Sequence, residues 1–112
     1  MKYVVLSVLV LSSACGMCDN DPLHAEMSPD GTYVAIAFLR DCGATTGFST
    51  EVSVVEAPGK LPNQPGDIFA VGGKHPARVH WESDSKLIIE IPRGGEVFKK
   101  VGELRGITIE YR

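Results

Sequence analysis

The side chains best suited to bind a ligand are concentrated in Asp41–Thr50, a small, polar stretch with two glycines and one aromatic ring. Its hydroxyls can donate and accept hydrogen bonds, and its glycines let backbone amides face outward. Loops of this kind on a rigid sheet commonly carry binding sites. The predicted binding loop comprises Gly43, Thr45, Thr46, Gly47, Phe48 and Ser49. The alternative is a structural turn whose hydroxyls bond their own backbone.

Nucleophilic catalysis by this stretch would require a general base and a group that orients it. The histidines His24, His75 and His80 show no recognised spacing relative to the loop. No nucleophile elbow, zinc-peptidase motif, phosphate-binding loop or paired carboxylate motif occurs in the chain. The sequence therefore predicts no catalytic residue, no metal, no cofactor and no enzyme activity, with a hydrolytic threonine-rich loop as the alternative.

The N-terminal segment has the layout of a secretory signal peptide. Lys2 is followed by an uncharged run over residues 3–11, which is shorter than the roughly 20 residues that a membrane-spanning helix needs. Small residues then precede Cys15, and Ser12-Ser13-Ala14-Cys15 resembles the lipobox of bacterial lipoproteins. The resemblance implies cleavage after residue 14 and a diacylglycerol on the Cys15 thiol.

A lipobox implies a protein anchored to a bacterial envelope membrane, and two or three acyl chains hold such a protein stably. Gly16 rather than Asp after Cys15 favours, by resemblance to enterobacterial sorting, the outer membrane and a domain facing the periplasm. Removal of residues 1–14 takes away Lys2 and changes the formal net charge from −3 to −4. This mildly acidic balance argues against nucleic-acid binding.

The chain contains three cysteines. With Cys15 lipidated, Cys18 and Cys42 remain as an even pair in an oxidising compartment and are predicted to form a disulfide. In one alternative, Cys15 and Cys18 form a redox C-x-x-C motif, but such motifs begin a helix and here a polar segment with Pro22 follows. A zinc site from Cys18, Cys42 and a histidine lacks a fourth ligand at a familiar spacing.

After the leader the chain shows alternation of apolar residues and no helical periodicity. Residues 16–24 are polar and are predicted to form a tether. Tyr33–Leu39 is apolar on both alternating faces, which predicts a central strand. In the strand over 77–82, Val79 and Trp81 are predicted to face inward. The predicted strands are 33–39, 49–57, 68–71, 77–82, 86–91, 97–101 and 107–112.

These elements predict an all-β domain of about six or seven strands, built as a small antiparallel meander or a sandwich, with a partly open barrel as a further possibility. The predicted organisation is a cleaved signal peptide over 1–14, the lipidated cysteine and tether over 15–25, and a single β domain over 26–112.

Two further resemblances concern the mature domain. Ser28-Pro29-Asp30-Gly31 and the hairpin that begins at Trp81 resemble blade elements of TolB-type β-propellers, but the 98 residues after the leader cannot build the minimum of about four blades. Taken whole, the chain resembles a family of small uncharacterised Gram-negative envelope proteins that share these motifs and the Asp41–Thr50 stretch. The resulting hypothesis is a non-enzymatic envelope module that binds a protein or glycan, with an inhibitor or immunity-type module as the alternative.

Overall fold

The computed structural model describes residues 18–43 and 47–112. In these ranges the chain is all-β, as predicted, and none of it forms a helix that could cross a membrane. The described strands are β1 (Asp19–Met27), β2 (Tyr33–Asp41), β3 (Phe48–Glu56), β4 (Phe69–Gly72), β5 (Arg78–Ser83), β6 (Lys86–Glu90), β7 (Val97–Lys100), β8 (Glu103–Leu104) and β9 (Ile107–Tyr111). The two strands that the sequence did not predict are β1 and β8.

The strands form a sandwich of two sheets. The five-stranded sheet has the order β1-β2-β3-β4-β7 with antiparallel neighbours, and the four-stranded sheet has the order β5-β6-β9-β8. Within the four-stranded sheet β6 and β9 are parallel. The β5–β6 hairpin leaves the first sheet, and β7 then returns to its edge, so the chain is not a simple meander.

The main core lies between the two sheets and follows the period-two alternation of each strand. Trp81 and Val79 of β5 are buried there, as predicted. The five-stranded sheet contributes Ala35, Ala37, Val52, Val54, Phe69 and Val71. The four-stranded sheet adds Leu87, Ile89, Ile107 and Ile109 from the facing side.

A smaller core lies on the outer face of the five-stranded sheet, the face turned away from the four-stranded sheet. Val34, Ile36 and Phe38 of β2 are buried there under residues 57–67, which we call the covering loop. Leu61 of that loop packs against them. Burial on both faces explains why β2 is apolar at both alternating sets, and β2 lies inside the sheet between β1 and β3, although the middle strand of the five is β3.

Residues 19–24, which the sequence analysis assigned to a tether, belong instead to the edge strand β1. The strand pairs with β2 from Asp19↔Asp41 to Met27↔Val34, with an irregularity between Pro22 and His24. Backbone pairing rather than apolar side chains holds it, which is why its polar sequence gives no strand signal. Proline is tolerated because β1 is an edge strand. The signal peptide, Cys15 and the rest of the tether before Cys18 lie outside the described residues.

Candidate functional site

A disulfide joins Cys18 to Cys42, as predicted, with a separation of 4.0 Å between the Cα atoms. The β1–β2 register places the two cysteines side by side, because each lies one residue beyond the pair Asp19↔Asp41. The Cys18 sulfur is therefore bonded to Cys42 and not to Cys15. The bond fixes the start of β1 to the first residues of the predicted binding loop.

A cleft of about 510 Å³ lies beside this disulfide, on the outer face of the five-stranded sheet. Gly47, Phe48 and Ser49 of the predicted binding loop line it together with Cys42. Gly43 lies next to it, where its N–H donates to Asp41 Oδ1 over 3.0 Å. Thr45 and Thr46 lie outside the described residues.

The floor of the cleft comes from outward-facing residues of β3 and β4. Strand register aligns Ser49 with Gly72, and Glu51 with Ala70. Because Gly72 and Ala70 have little or no side chain, the sheet surface is open at this point. The covering loop fills the other end of the same face and contributes Pro65 to the cleft wall.

An irregularity in β7 builds the opposite wall. After the pair Ala70↔Lys99 the register between β4 and β7 shifts, so that Phe98 is an extra residue on β7. A bulge of this kind re-aims side chains, and both Phe98 and Lys99 line the cleft. The Phe98 ring lies over Gly72, where a Cβ would come within 3.1 Å of Cε2. The ring is nevertheless 65% exposed.

Contacts with the last strand hold β7 in place. The hydroxyl of Tyr111 donates to the Val101 carbonyl over 2.7 Å, and Lys100 Nζ lies 5.1 Å from the centre of the Tyr111 ring. Burial raises the pKa of Tyr111 to about 12, because the desolvated site disfavours the phenolate. The wall that carries Phe98 is thereby attached to the core.

A second phenyl ring lies at the mouth of the cleft. Phe48, at the first position of β3, is 39% exposed, and Lys74 Nζ lies 4.0 Å from its ring centre. This is the geometry of a cation–π contact. The Phe48 carbonyl accepts the Gly73 N–H over 2.7 Å, which fixes the two segments relative to each other.

Glu51 joins the cleft floor to the covering loop although it is only 6% exposed. One carboxyl oxygen accepts the Ser49 hydroxyl and the other accepts the Gly66 N–H, each over 2.6 Å. Lys99 Nζ donates to the Gly66 carbonyl over 2.8 Å. A side chain at Gly66 would lie 2.8 Å from the Val52 carbonyl oxygen, so the loop meets the sheet too closely for any other residue. The floor is therefore preformed.

The neighbouring loop residue Asp67 adds to this attachment. Its Oδ1 accepts the Val54 N–H over 3.0 Å, and its own N–H donates to Ser53 Oγ over 3.1 Å. Burial raises the pKa of the Asp67 carboxyl above its ordinary value. The covering loop is thus bonded to β3 at successive outward-facing positions.

Arg40 forms the remaining wall and is held by amide side chains. Its Nη1 donates to Asn20 Oδ1 over 2.7 Å and to Asn63 Oδ1 over 3.2 Å. Asn63 in turn donates to the Cys18 carbonyl over 2.8 Å, so this network links β1, β2 and the covering loop. Within residues 18–43 and 47–112, none of Arg40, Lys74 and Lys99 forms an ion pair. In these ranges no carboxylate lies at ion-pair distance from these cations, although Arg40 and Lys99 already donate to neutral protein oxygens and Lys74 contacts the Phe48 ring.

The histidines lie elsewhere. His24 and His75 line a second cavity of about 370 Å³, in which His24 Nε2 lies 3.1 Å from the Val79 carbonyl. His80 pairs with Glu26 over 3.2 Å. In the described ranges no histidine ring bonds to a hydroxyl of the Asp41–Thr50 stretch, and no three metal-binding side chains converge.

Sequence composition indicated one end of the cleft but not Arg40, Glu51, Phe98 or Lys99. Arg40 and Glu51 are polar, outward-facing residues of strands. The positions of Phe98 and Lys99 in the cleft depend on the irregularity in β7. Comparisons of the chain with protein-family models, with curated proteins and with solved structures give no match, and the function of the cleft must be inferred from its own residues.

Proposed function

We propose that this chain is a lipid-anchored protein of the bacterial envelope and that its cleft is a non-enzymatic binding site. The lipobox resemblance at Ser12–Cys15 supports the anchor. The observation that supports the binding site is one preformed cleft lined by two exposed phenyl rings, Phe48 and Phe98, and by two cations without ion pairs among the described residues, Arg40 and Lys99. Lys74 adds a third cation beside the Phe48 ring at the mouth of the cleft.

The composition of the cleft suits binding better than catalysis. Ligand sites commonly have volumes of about 300–1,000 Å³, apolar walls and a few oriented polar groups, a description that this cleft fits. The acid in the cleft, Glu51, is already bonded to Ser49 and Gly66. The redox alternative requires a Cys18 thiol that can pair with Cys15, but Cys18 is bonded to Cys42. An inhibitor or immunity-type module would use the same cleft and differ only in its partner.

The anchor is tested by growing cells with labelled palmitate. We expect the wild-type chain to carry the label and Cys15→Ser to carry none, because the thiol is the site of diacylglycerol attachment. Cys42→Ser is the matched control and should keep the label, since it removes a different cysteine. Equal labelling of wild type and Cys15→Ser would contradict the anchor.

Occupancy of the cleft is tested by acylating lysines in isolated envelopes and in the purified mature chain, residues 15–112 with Cys15→Ser. We expect Lys74 and Lys99 to react severalfold less in envelopes, because a bound partner covers them. Lys60, an exposed residue of the covering loop outside the cleft, is the control and should react equally in both samples. Equal reactivity of all three lysines in both samples would contradict an occupied cleft.

A further inference from the structure

We infer that the cleft end of the domain docks on the phospholipid bilayer that holds its own anchor, with Arg40, Lys74 and Lys99 contacting headgroup phosphates. This inference rests on the proposed function and names its partner. The membrane takes the place of the protein or glycan that the sequence suggested.

The short chain between the anchor and the domain limits how far the cleft can lie from the membrane. Cys15 precedes Cys18 by three residues, which reach at most about 11 Å when fully extended. Cys18 is bonded to Cys42, and Cys42 lines the cleft. The headgroup layer on each side of a bilayer is about 6 Å thick, so this tether cannot hold the cleft end far above it. The cleft therefore lies at the membrane surface whenever Cys15 is lipidated.

Three of the six large apolar side chains that are exposed in the described residues lie near this end of the domain. Phe48 opens β3 beside the disulfide, Phe98 lies across the cleft, and Val97 precedes Phe98 in the chain. Met27, in contrast, ends β1 at the far end of the five-stranded sheet. Aromatic and aliphatic side chains that stand in water gain free energy on entering the headgroup–acyl boundary. Phe48 and Phe98 are placed to enter it together.

The charges of the cleft match a phosphate surface although the mature chain is acidic overall. Arg40, Lys74 and Lys99 form no ion pair among the described residues, although the charge of Lys99 also acts on the Asp67 carboxylate. The acid inside the cleft, Glu51, is buried and bonded to protein donors. Asp41 accepts the Gly43 N–H, and Glu96 stands exposed before β7. Asp19, exposed beside Cys18 and paired with Asp41, is a third carboxylate at this end, so the three cations balance these neighbours. Each cation that contacts an anionic surface raises affinity about fivefold.

The anchor also favours the membrane over any soluble partner. A tethered site meets its own bilayer at a high effective concentration, which raises occupancy of the cleft by lipid above that by a soluble partner of equal affinity. A glycan or protein would have to displace the headgroups that the short tether keeps beside the cleft. Lipid phosphate is thus the anionic group that reaches these cations first.

The test measures sedimentation of the mature chain, residues 15–112 with Cys15→Ser, with phospholipid vesicles. We expect binding to vesicles of equimolar phosphatidylglycerol and phosphatidylcholine, weaker binding to phosphatidylcholine alone, and weakening by salt, which screens exposed charges. Phe98→Ala should lower affinity about tenfold, through loss of apolar burial. Lys74→Gln with Lys99→Gln should lower it about 25-fold.

The matched controls are Met27→Ala for the apolar change and Lys60→Gln for the charge change, and both should bind as the parent does. Circular dichroism establishes that each variant is folded. Absence of binding to the anionic vesicles, or cleft variants that bind like the controls, would overturn the inference. If palmitate labelling and lysine protection hold while vesicle binding fails, the anchor and the occupied cleft stand and the partner is a protein or glycan.

Discussion

Replacing Cys18 and Cys42 together by serine is expected to lower the free energy of unfolding by about 3.5 kcal/mol. The disulfide closes a loop with a sequence separation of 24 residues, and chain entropy in the unfolded state gives this magnitude for such a loop. Small domains have total stabilities of about 5–15 kcal/mol, so the loss is a large fraction of the whole. Urea unfolding of the mature chain, followed by Trp81 fluorescence, measures it.

A reductant supplies the control for the disulfide prediction. It should destabilise the parent chain by a similar amount and leave the double serine variant unaffected, because the variant has no bond to reduce. Hydrogen exchange should also show faster opening of β1, whose polar side chains contribute little burial. A double variant as stable as the parent would contradict the prediction.

The sequence predicted strands in which apolar side chains alternate with polar ones, and it predicted β2, which is apolar on both faces. β5 is the clearest case, because Val79 and Trp81 alternate with exposed residues and are buried as expected. β1 was not predicted, because its position depends on backbone pairing and on Glu26, which accepts two hydrogen bonds from Trp81. An edge strand held in this way has no apolar period to detect.

The division into two sheets could not be predicted from local patterns. The parallel pairing of β6 with β9 joins segments about 20 residues apart and depends on the whole fold. Ile91 illustrates the same limit. The predicted strand over 86–91 includes Ile91, but β6 ends at Glu90 and Ile91 is 38% exposed.

Part of the candidate site was accessible to sequence reasoning and part was not. Gly47, Phe48 and Ser49 line the cleft, and their stretch was selected for its composition alone. Nothing in the sequence marked Arg40 as a cleft residue, because the pairing of β2 with β3 is what sets it opposite Ser49. Nothing marked Phe98 either, because only the shift in the β4–β7 register directs its ring over Gly72. Register and bulges are tertiary properties.

Trp81→Ala is expected to lower the free energy of unfolding by about 3–5 kcal/mol, the usual loss for a large buried aromatic side chain. Trp81 is 5% exposed and packs between the two sheets. Its indole N–H donates to the Glu26 carbonyl, and its backbone N–H donates to Glu26 Oε2, each over 2.8 Å. The residue thus joins β5 to β1 as well as filling the core.

Two further variants separate packing from hydrogen bonding at this position. Trp81→Phe keeps most of the ring but leaves the Glu26 carbonyl without the indole donor, which should cost about 1–3 kcal/mol. His80→Ala changes the exposed neighbour on the same strand, removes only its surface pair with Glu26, and should alter stability by less than about 1 kcal/mol. Urea unfolding followed by far-UV circular dichroism measures all three. A Trp81→Ala loss no larger than that of His80→Ala would contradict a core role.

Combining Trp81→Ala with the two serine substitutions should give nearly additive losses. The disulfide holds the start of β1 and Glu26 lies near its end, about 25 Å away along a strand. Substitutions at such distances usually act independently. The combined loss of about 7 kcal/mol approaches the whole stability of a small domain. The triple variant should therefore be largely unfolded without denaturant, whereas a cooperatively folded triple variant would show that β1 and the core are held by other contacts.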